Sequence, residues 1–352
     1  KQKTAYEISL GLVGSEMCIR DRCNRNAACQ SIALYRCETI DFSSESVYLP
    51  RDGVGQGGVM RRQMIMSGLV IGGVVVALGF PLAQENVAEI EQVKANLYVI
   101  TGGGGNTAAL VADDGVVLVD TKNPGWGSAI LAKVQPVTDK PITHIINTHT
   151  HGDHVGSNID FSLPVEVVAH ANTKSNMEKM EAFQSASGQR YLPSRTYDDR
   201  LTLLDGDDQI DLYHFGAGHT SGDTIVVFSG LGVAHTGDLF AWKGVPYIDV
   251  NNGGSGVQYP KTLLTAADSI PGVDMVIPGH SPVMTWDDFR EFGEFNRDFL
   301  TSVERGKAAG KTAAETAASL DLPARYANYA MSRGTLTSAE DNATKIYAEL
   351  DR

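Results

Sequence analysis

Basic residues are in short supply. The 29 Lys and Arg face 42 Asp and Glu, for a formal net charge of −13. A general nucleic-acid binder needs a cationic surface to displace counterions, so that class is set aside. Cysteine is confined to one stretch, at Cys18, Cys23, Cys29 and Cys37. Those gaps match no C-x2-C pairing, which argues against a zinc ribbon. The cysteine-free remainder suits an oxidising compartment. The 37 glycines follow no Gly-X-Y period, and no longer repeat of fixed period is evident. No G-K-[ST] follows the Gly102–Gly105 run, so a flexible hairpin is favoured there over a phosphate cradle. Charged residues are only 20% of the chain, and apolar runs recur through it, which excludes bulk disorder.

The 352 residues suffice for one large domain or two. Residues 1–59 carry no sustained helical or strand periodicity, and Tyr6–Leu10 with Gly14–Arg22 resembles translated sequencing-adapter read-through. Whether artefact or disordered leader, this stretch is expected to stand outside the fold. A second start fits at Met60. Arg61 and Arg62 precede an uncharged stretch from Met64 to Phe80, and Pro81-Leu82-Ala83 leads into polar sequence. Residues 60–83 therefore read as a signal peptide cleaved near Ala83, with an uncleaved anchor as the alternative. The run falls short of a comfortable membrane span of about 20 residues. The expected location is periplasmic or secreted, without stable membrane insertion after cleavage.

From about residue 85 the chain alternates short β-rich runs with turns. Asn96–Thr101, Asn106–Val111 and Val116–Asp120 read as an antiparallel meander. Ser128–Val134 reads as a helix, Pro141–Asn147 and Val165–Ala169 as strands, and Asn172–Phe183 as a helix. Strands return at Leu201–Leu204, Gln209–Phe215, Thr224–Phe228, Gly232–His235 and Val273–Ile277, with a helix at Lys261–Ser269. Thr285 and Asp288 predict a capped helix whose Phe289, Phe292, Phe295 and Phe299 form one apolar stripe. The stripe reads as core packing, with an aromatic substrate box as the rarer alternative. The pattern is that of two sheets with helices outside them. Residues 285–352 are too few for a comfortable core of their own. They are expected to pack back on the sheets, or to meet a second subunit in a homodimer through Tyr326, Tyr329 and Tyr347.

The chemistry concentrates where predicted strands end. Asn147-Thr-His149-Thr-His151-Gly-Asp153-His154 places four candidate ligands in one loop. His149 and His151 project to one side of an extended strand end, and Gly152 lets the loop curl before Asp153 and His154. Imidazole and carboxylate suit Zn²⁺, with positions left open for water. Gly218-His219 lies in a glycine-rich turn, His235-Thr-Gly237-Asp238 ends the next strand, and Pro278-Gly279-His280 ends another.

H-x-H-x-D-H, a Gly-His turn, T-G-D and P-G-H, in this order over about residues 90–284, resemble the metallo-β-lactamase superfamily. The resemblance implies an α/β fold, an αββα sandwich of two mixed β-sheets flanked by helices, here over residues 85–284 with a C-terminal helical extension over 285–352. It implies that His149, His151 and His219 hold one metal, that Asp153, His154 and His280 hold a second, and that Asp238 bridges them. Two Zn²⁺ would generate a bridging hydroxide near neutral pH, with Asp153 orienting the nucleophile. Thr148 and Asp223 are candidates to orient ligands, Asp223 equally a turn cap. The implied function is a binuclear zinc hydrolase acting on an ester, lactone, thioester or cyclic amide of a small molecule. Alternatives are a periplasmic β-lactamase, a mononuclear iron enzyme of the persulfide-dioxygenase type, and a non-catalytic binder, which the full ligand set disfavours. Trp126, Tyr191, Trp242, Lys243 and Tyr247 are expected to line the substrate site because each falls in a loop near a ligand segment. Lys243 would hold a substrate carboxylate, or else be a solvated surface lysine.

Overall fold

The computed structural model describes residues 87–352, so the leader at 1–59 and the signal segment at 60–83 lie outside the described residues. Among the described residues no helix is long and apolar enough to cross a membrane.

The first sheet has seven strands in chain order: β1 (Glu89–Lys94), β2 (Leu97–Thr101), β3 (Thr107–Ala112), β4 (Gly115–Val119), β5 (Ile142–Ile146), β6 (Glu166–His170) and β7 (Arg195–Tyr197). Strands β1 to β4 form the expected antiparallel meander, and β4 to β7 run parallel. The second sheet comprises β8 (Arg200–Leu203), β9 (Ile210–Tyr213), β10 (Ile225–Phe228), β11 (Val233–Gly237), β12 (Met275–Pro278) and β13 (Met284–Thr285), in the order β13-β12-β11-β10-β9-β8. It too is mixed, because β11 and β12 are parallel.

Side-chain alternation builds the layers. Val117 and Val119 of β4 face inward and meet Val226 and Phe228 of β10 in a core between the sheets. Val116 and Leu118 face outward onto Ile130 and Val134 of helix α1 (Gly127–Val134). Ile225 and Val227 on the far face of the second sheet pack with α4 (Tyr259–Ser269), α5 (Trp286–Ala308) and α7 (Ala339–Leu350). Between α1 and α4 the chain adds two short helices, α2 (Gly152–Val155) and α3 (Ala171–Met177); α6 (Ala313–Ala318) lies between α5 and α7. The layers are therefore helix, sheet, sheet, helix. Val116–Val119 has no alternation in burial because both faces of β4 are covered.

Helix α5 starts at a complete capping box between Thr285 and Asp288. Its stripe of Phe289, Phe292, Phe295 and Phe299 is buried against the second sheet and so is core. Tyr326 and Tyr329 are buried in the same cluster, and Tyr347 bonds Thr316 of α6. Each of these tyrosines thus has a partner within the chain. The helix expected over Asn172–Phe183 ends at Met177: Met180 is extended, and a turn of 3-10 helix at Glu181–Phe183 follows. That break swings Phe183 beside Met177 and Val155. Strands β1, β7 and β13 were not anticipated. The first is rich in charge, and the others span only three and two residues, too short for a period to register.

Candidate metal centre

Parallel pairing brings distant motifs to one edge. In the β11–β12 register Gly237 lies opposite Pro278, so Asp238 and His280 leave the sheet side by side. In the β4–β5 register Val119 lies opposite Ile146, which puts Asp120 next to the Asn147–His154 loop. Asn106 joins the two sheets at this edge: its backbone N–H donates to Gly279 O at 2.7 Å, and its side-chain amide donates to Pro278 O and Ser281 O, both at 2.8 Å.

Two ligand groups form. His149, His151, His219 and Asp238 each offer one atom, all within 4.8 Å of one another, and Asp153, His154 and His280 do the same. Asp238 lies between them: Oδ2 is 3.8 Å from His219 Nε2, and Oδ1 is 3.3 Å from Nε2 of both His154 and His280. All seven expected ligands thus meet at one edge.

The far nitrogens explain the orientation of the near ones. His151 Nε2–H donates to Asp249 at 2.7 Å, His219 Nδ1–H to Tyr247 O at 2.7 Å, and His154 Nδ1–H to Asp120 at 2.7 Å. Thr148 Oγ1 donates to Asp120 at 2.7 Å, which leaves it to accept from His149 Nδ1–H at 3.0 Å. His151 Nδ1 and His219 Nε2 then turn lone pairs toward each other across 2.9 Å. His149 Nε2 and Asp238 Oδ1 are buried with no hydrogen-bond partner among the described residues. Buried lone pairs converging without donors call for a cation, and a set of imidazole and carboxylate fits a divalent metal. Asp120, though close to His149 and His154, is occupied by Thr148 and His154, and acts as their support.

The electrostatics differ between the two groups. Burial, then the neighbouring imidazoles, push His149 well below its usual range. Burial and His151 lower His219 to about 4. Burial alone would raise Asp238, but His154 and His280 outweigh it and hold the carboxylate well below its usual range. Burial opposes charge on His280, yet Asp153 and Asp238 lift it to about 9. Two glycines make the close approaches possible. A Cβ on Gly105 would lie 2.1 Å from the His154 ring, and one on Gly279 only 1.9 Å from Asp238 Oδ1.

A cavity of about 490 Å³ opens over the cluster, lined by His151, Asp153, Asp238 and His280 and walled by Trp242, Tyr247, Arg333 and Leu336. Of the five residues expected to line a substrate site, Trp242 and Tyr247 line this cavity, and the other three lie elsewhere. Lys243 is a partly exposed cation that pairs with Asp288 at 2.6 Å and Glu291 at 3.4 Å, fastening its loop to α5. Trp126 covers Gly103 and packs in the α1 layer. Tyr191 donates to Phe161 O at 3.0 Å and packs with Val155 and Phe183. Sequence proximity to a ligand loop did not fix which way these side chains face. Asp223 caps a turn, accepting from Thr220 N–H and Oγ1–H, with burial raising it to about 7. Asp120, Asp249 and Arg333 were missed. Asp120 at least had a signal, a carboxylate closing an apolar strand; Asp249 and Arg333 sit in no motif.

A two-sheet sandwich with a cluster of seven His and Asp side chains suited to metal at one edge defines a class of protein. Residues 100–286 match the model of the metallo-beta-lactamase superfamily, and the chain belongs to that superfamily. The chain is 33% identical over 143 residues to the 2,4-dinitroanisole O-demethylase subunit alpha of Nocardioides sp. (strain JS1661), covering 39% of this chain and 42% of that one. It is 25% identical over 223 residues to a metallo-beta-lactamase type 2 of Elizabethkingia meningoseptica, covering 57% and 80%. The fold resembles that of the stereoselective inverting sec-alkylsulfatase Pisa1 from Pseudomonas sp., with TM-score 0.63 and 16% identity over 74% of this chain and 50% of that one. The chain thus spans less than half of the demethylase subunit and half of the alkylsulfatase.

Proposed function

We propose that this protein is a binuclear zinc hydrolase of an ester, lactone, thioester or cyclic amide in a small molecule, acting outside the cytoplasm. The observation that carries the reading is the pair of ligand groups sharing Asp238, with the far nitrogens of His149, His151, His154 and His219 bonded so that the near ones turn inward. His149, His151 and His219 would hold one ion, Asp153, His154 and His280 the other, and Asp238 both. Two divalent cations bound there would supply a water acidified to near-neutral pKa and an electrophile for a carbonyl oxygen.

The chain's own residues do the rest. Asp120, Asp249 and the Tyr247 carbonyl keep the imidazoles in one tautomer, so little reorganisation accompanies turnover. Asp153 faces the cavity and is partly exposed, placed to accept a proton beside the reacting atoms. Trp242 and Tyr247 wall the cavity and narrow the space open to water. The cysteine-free ligand set and the 60–83 segment support an exported enzyme.

The test is metal analysis followed by a panel of lactone, thioester, aryl-ester, sulfate-ester and β-lactam substrates. About two zinc ions per chain with turnover of a member of the ester, lactone, thioester or lactam group supports the reading. One iron per chain with oxygen uptake would replace it with the persulfide-dioxygenase type.

A further inference from the structure

We propose that Arg333 is a specificity-determining residue that binds the carboxylate of a monoanionic small-molecule substrate in the cleft beside Trp242. The inference rests on the hydrolase reading for what happens next to the ligand, but not for the binding itself. Among the residues lining the cavity over the metal cluster, Arg333 is the single Lys or Arg. The carboxylates that line the same cavity, Asp153, Asp238 and Asp249, are all within ion-pairing distance of histidines. Arg333 itself makes no ion pair with any Asp or Glu among the described residues, whereas Lys243, next in the chain to Trp242, is paired with Asp288 and Glu291.

The guanidinium is held ready. Its Cζ lies over the Trp242 ring, 4.2 Å from the centroid, and Trp242 is fixed in turn by its Nε1–H donating to Val245 O at 3.1 Å. The guanidinium makes no side-chain hydrogen bond or ion pair with another described residue, so its N–H donors are left for a ligand, in the fork geometry that matches a carboxylate. The backbone beneath is anchored as well. Arg333 N–H donates to Thr337 O at 2.9 Å, and Val245 N–H donates to Ala330 O at 2.9 Å. Thr337 Oγ1 and Asn342 Nδ2 both donate to Pro246 O, at 3.0 and 2.8 Å. An exposed arginine is thus presented from a loop tied at both ends to the segment that carries Trp242.

The neighbours specify the rest of the ligand. Leu336, 49% exposed, lines the same cavity, so an apolar body beside the anion is accommodated. One unpaired cation in the lining of this cavity matches one negative charge better than two. The substrate class is therefore a small monocarboxylate with an apolar portion next to the scissile group.

The experiment is calorimetric titration of the zinc-loaded full chain with hexanoate and with hexanamide, probes of one length that differ in charge. Wild type is expected to bind hexanoate more tightly. Arg333→Met should weaken hexanoate about tenfold while changing hexanamide by less than about twofold. Arg333→Lys, which keeps charge but loses the fork, should recover only part. Zinc content and melting temperature should match wild type in both variants, since Arg333 is exposed and ligates nothing in the cluster. Hexanoate affinity unchanged in Arg333→Met would mean that the metal alone holds the carboxylate, and would overturn the proposal. So would equal weakening of both probes, or wild type failing to bind hexanoate. No turnover is involved, so an inactive substrate panel would count against the hydrolase reading and leave this result standing.

Discussion

At the scale of single residues, Asp120 organises more of the centre than any ligand does. Its carboxylate accepts from Thr148 N–H and Oγ1–H and from His154 Nδ1–H, so it orients a histidine of each ligand group, one directly and one through Thr148. Asp120→Asn keeps the shape but sets an amide N–H against these donors. Metal affinity, read by competition with a chelator, should fall by about 10–100-fold, with the fold retained. Lys122 presents a different case: it is fully buried, and its ammonium donates to Ile100 O and Gly105 O. Burial lowers its pKa from 10.5 to about 7, with Asp120 opposing. Between those values the unfolded chain keeps a proton that the folded chain has released, so this group makes stability rise with pH across the window. In urea unfolding at about pH 7 and pH 9.5, Lys122→Met should show a smaller gain than wild type. An equal gain would show that Lys122 keeps its proton in the fold.

Among the elements, packing and pairing carry separate loads. Phe295 of α5 is fully buried beside Phe299, Tyr326 and Tyr329. Phe295→Ala should cost about 3–5 kcal/mol and lower the melting temperature, while metal content per folded chain stays unchanged. Asp211 stitches the second sheet, accepting from Thr202 of β8, Ser229 after β10 and Gln209 before β9, and pairing with Arg200. Burial would raise its pKa, but these donors prevail and hold it at about 2. A lowered acid pKa gives stability that is complete above the unfolded value of about 3.8 and lost as pH falls toward 2. Acid unfolding followed by circular dichroism should therefore be less steep in that window for Asp211→Asn. The central strands were legible because β3, β4 and β10 repeat apolar side chains between turn residues, and α5 because its cap and stripe agree. Strand β1 was not, since Glu89, Glu91 and Gln92 on a half-exposed edge hide its alternation.

For the whole molecule, the seven candidate ligands could be found in the sequence because each stands in a short motif at a strand end. The wall of the cleft could not. Arg333 and Leu336 come from a loop about fifty residues after His280, and reach the cavity because α5 and α7 pack on the second sheet. Lys243 was misplaced for the matching reason: nothing local in the sequence shows that Asp288 and Glu291 of α5 will meet it. The C-terminal helices therefore cover the core and complete the site together. The central claim is that Asp238 joins two metal ions in one centre, and zinc content of the purified full chain beside Asp238→Ala tests it most directly. The account predicts about two zinc ions per wild-type chain, and a loss of zinc in Asp238→Ala together with the loss of turnover on any substrate found by the panel. Zinc content and rate both unchanged in that variant would contradict it.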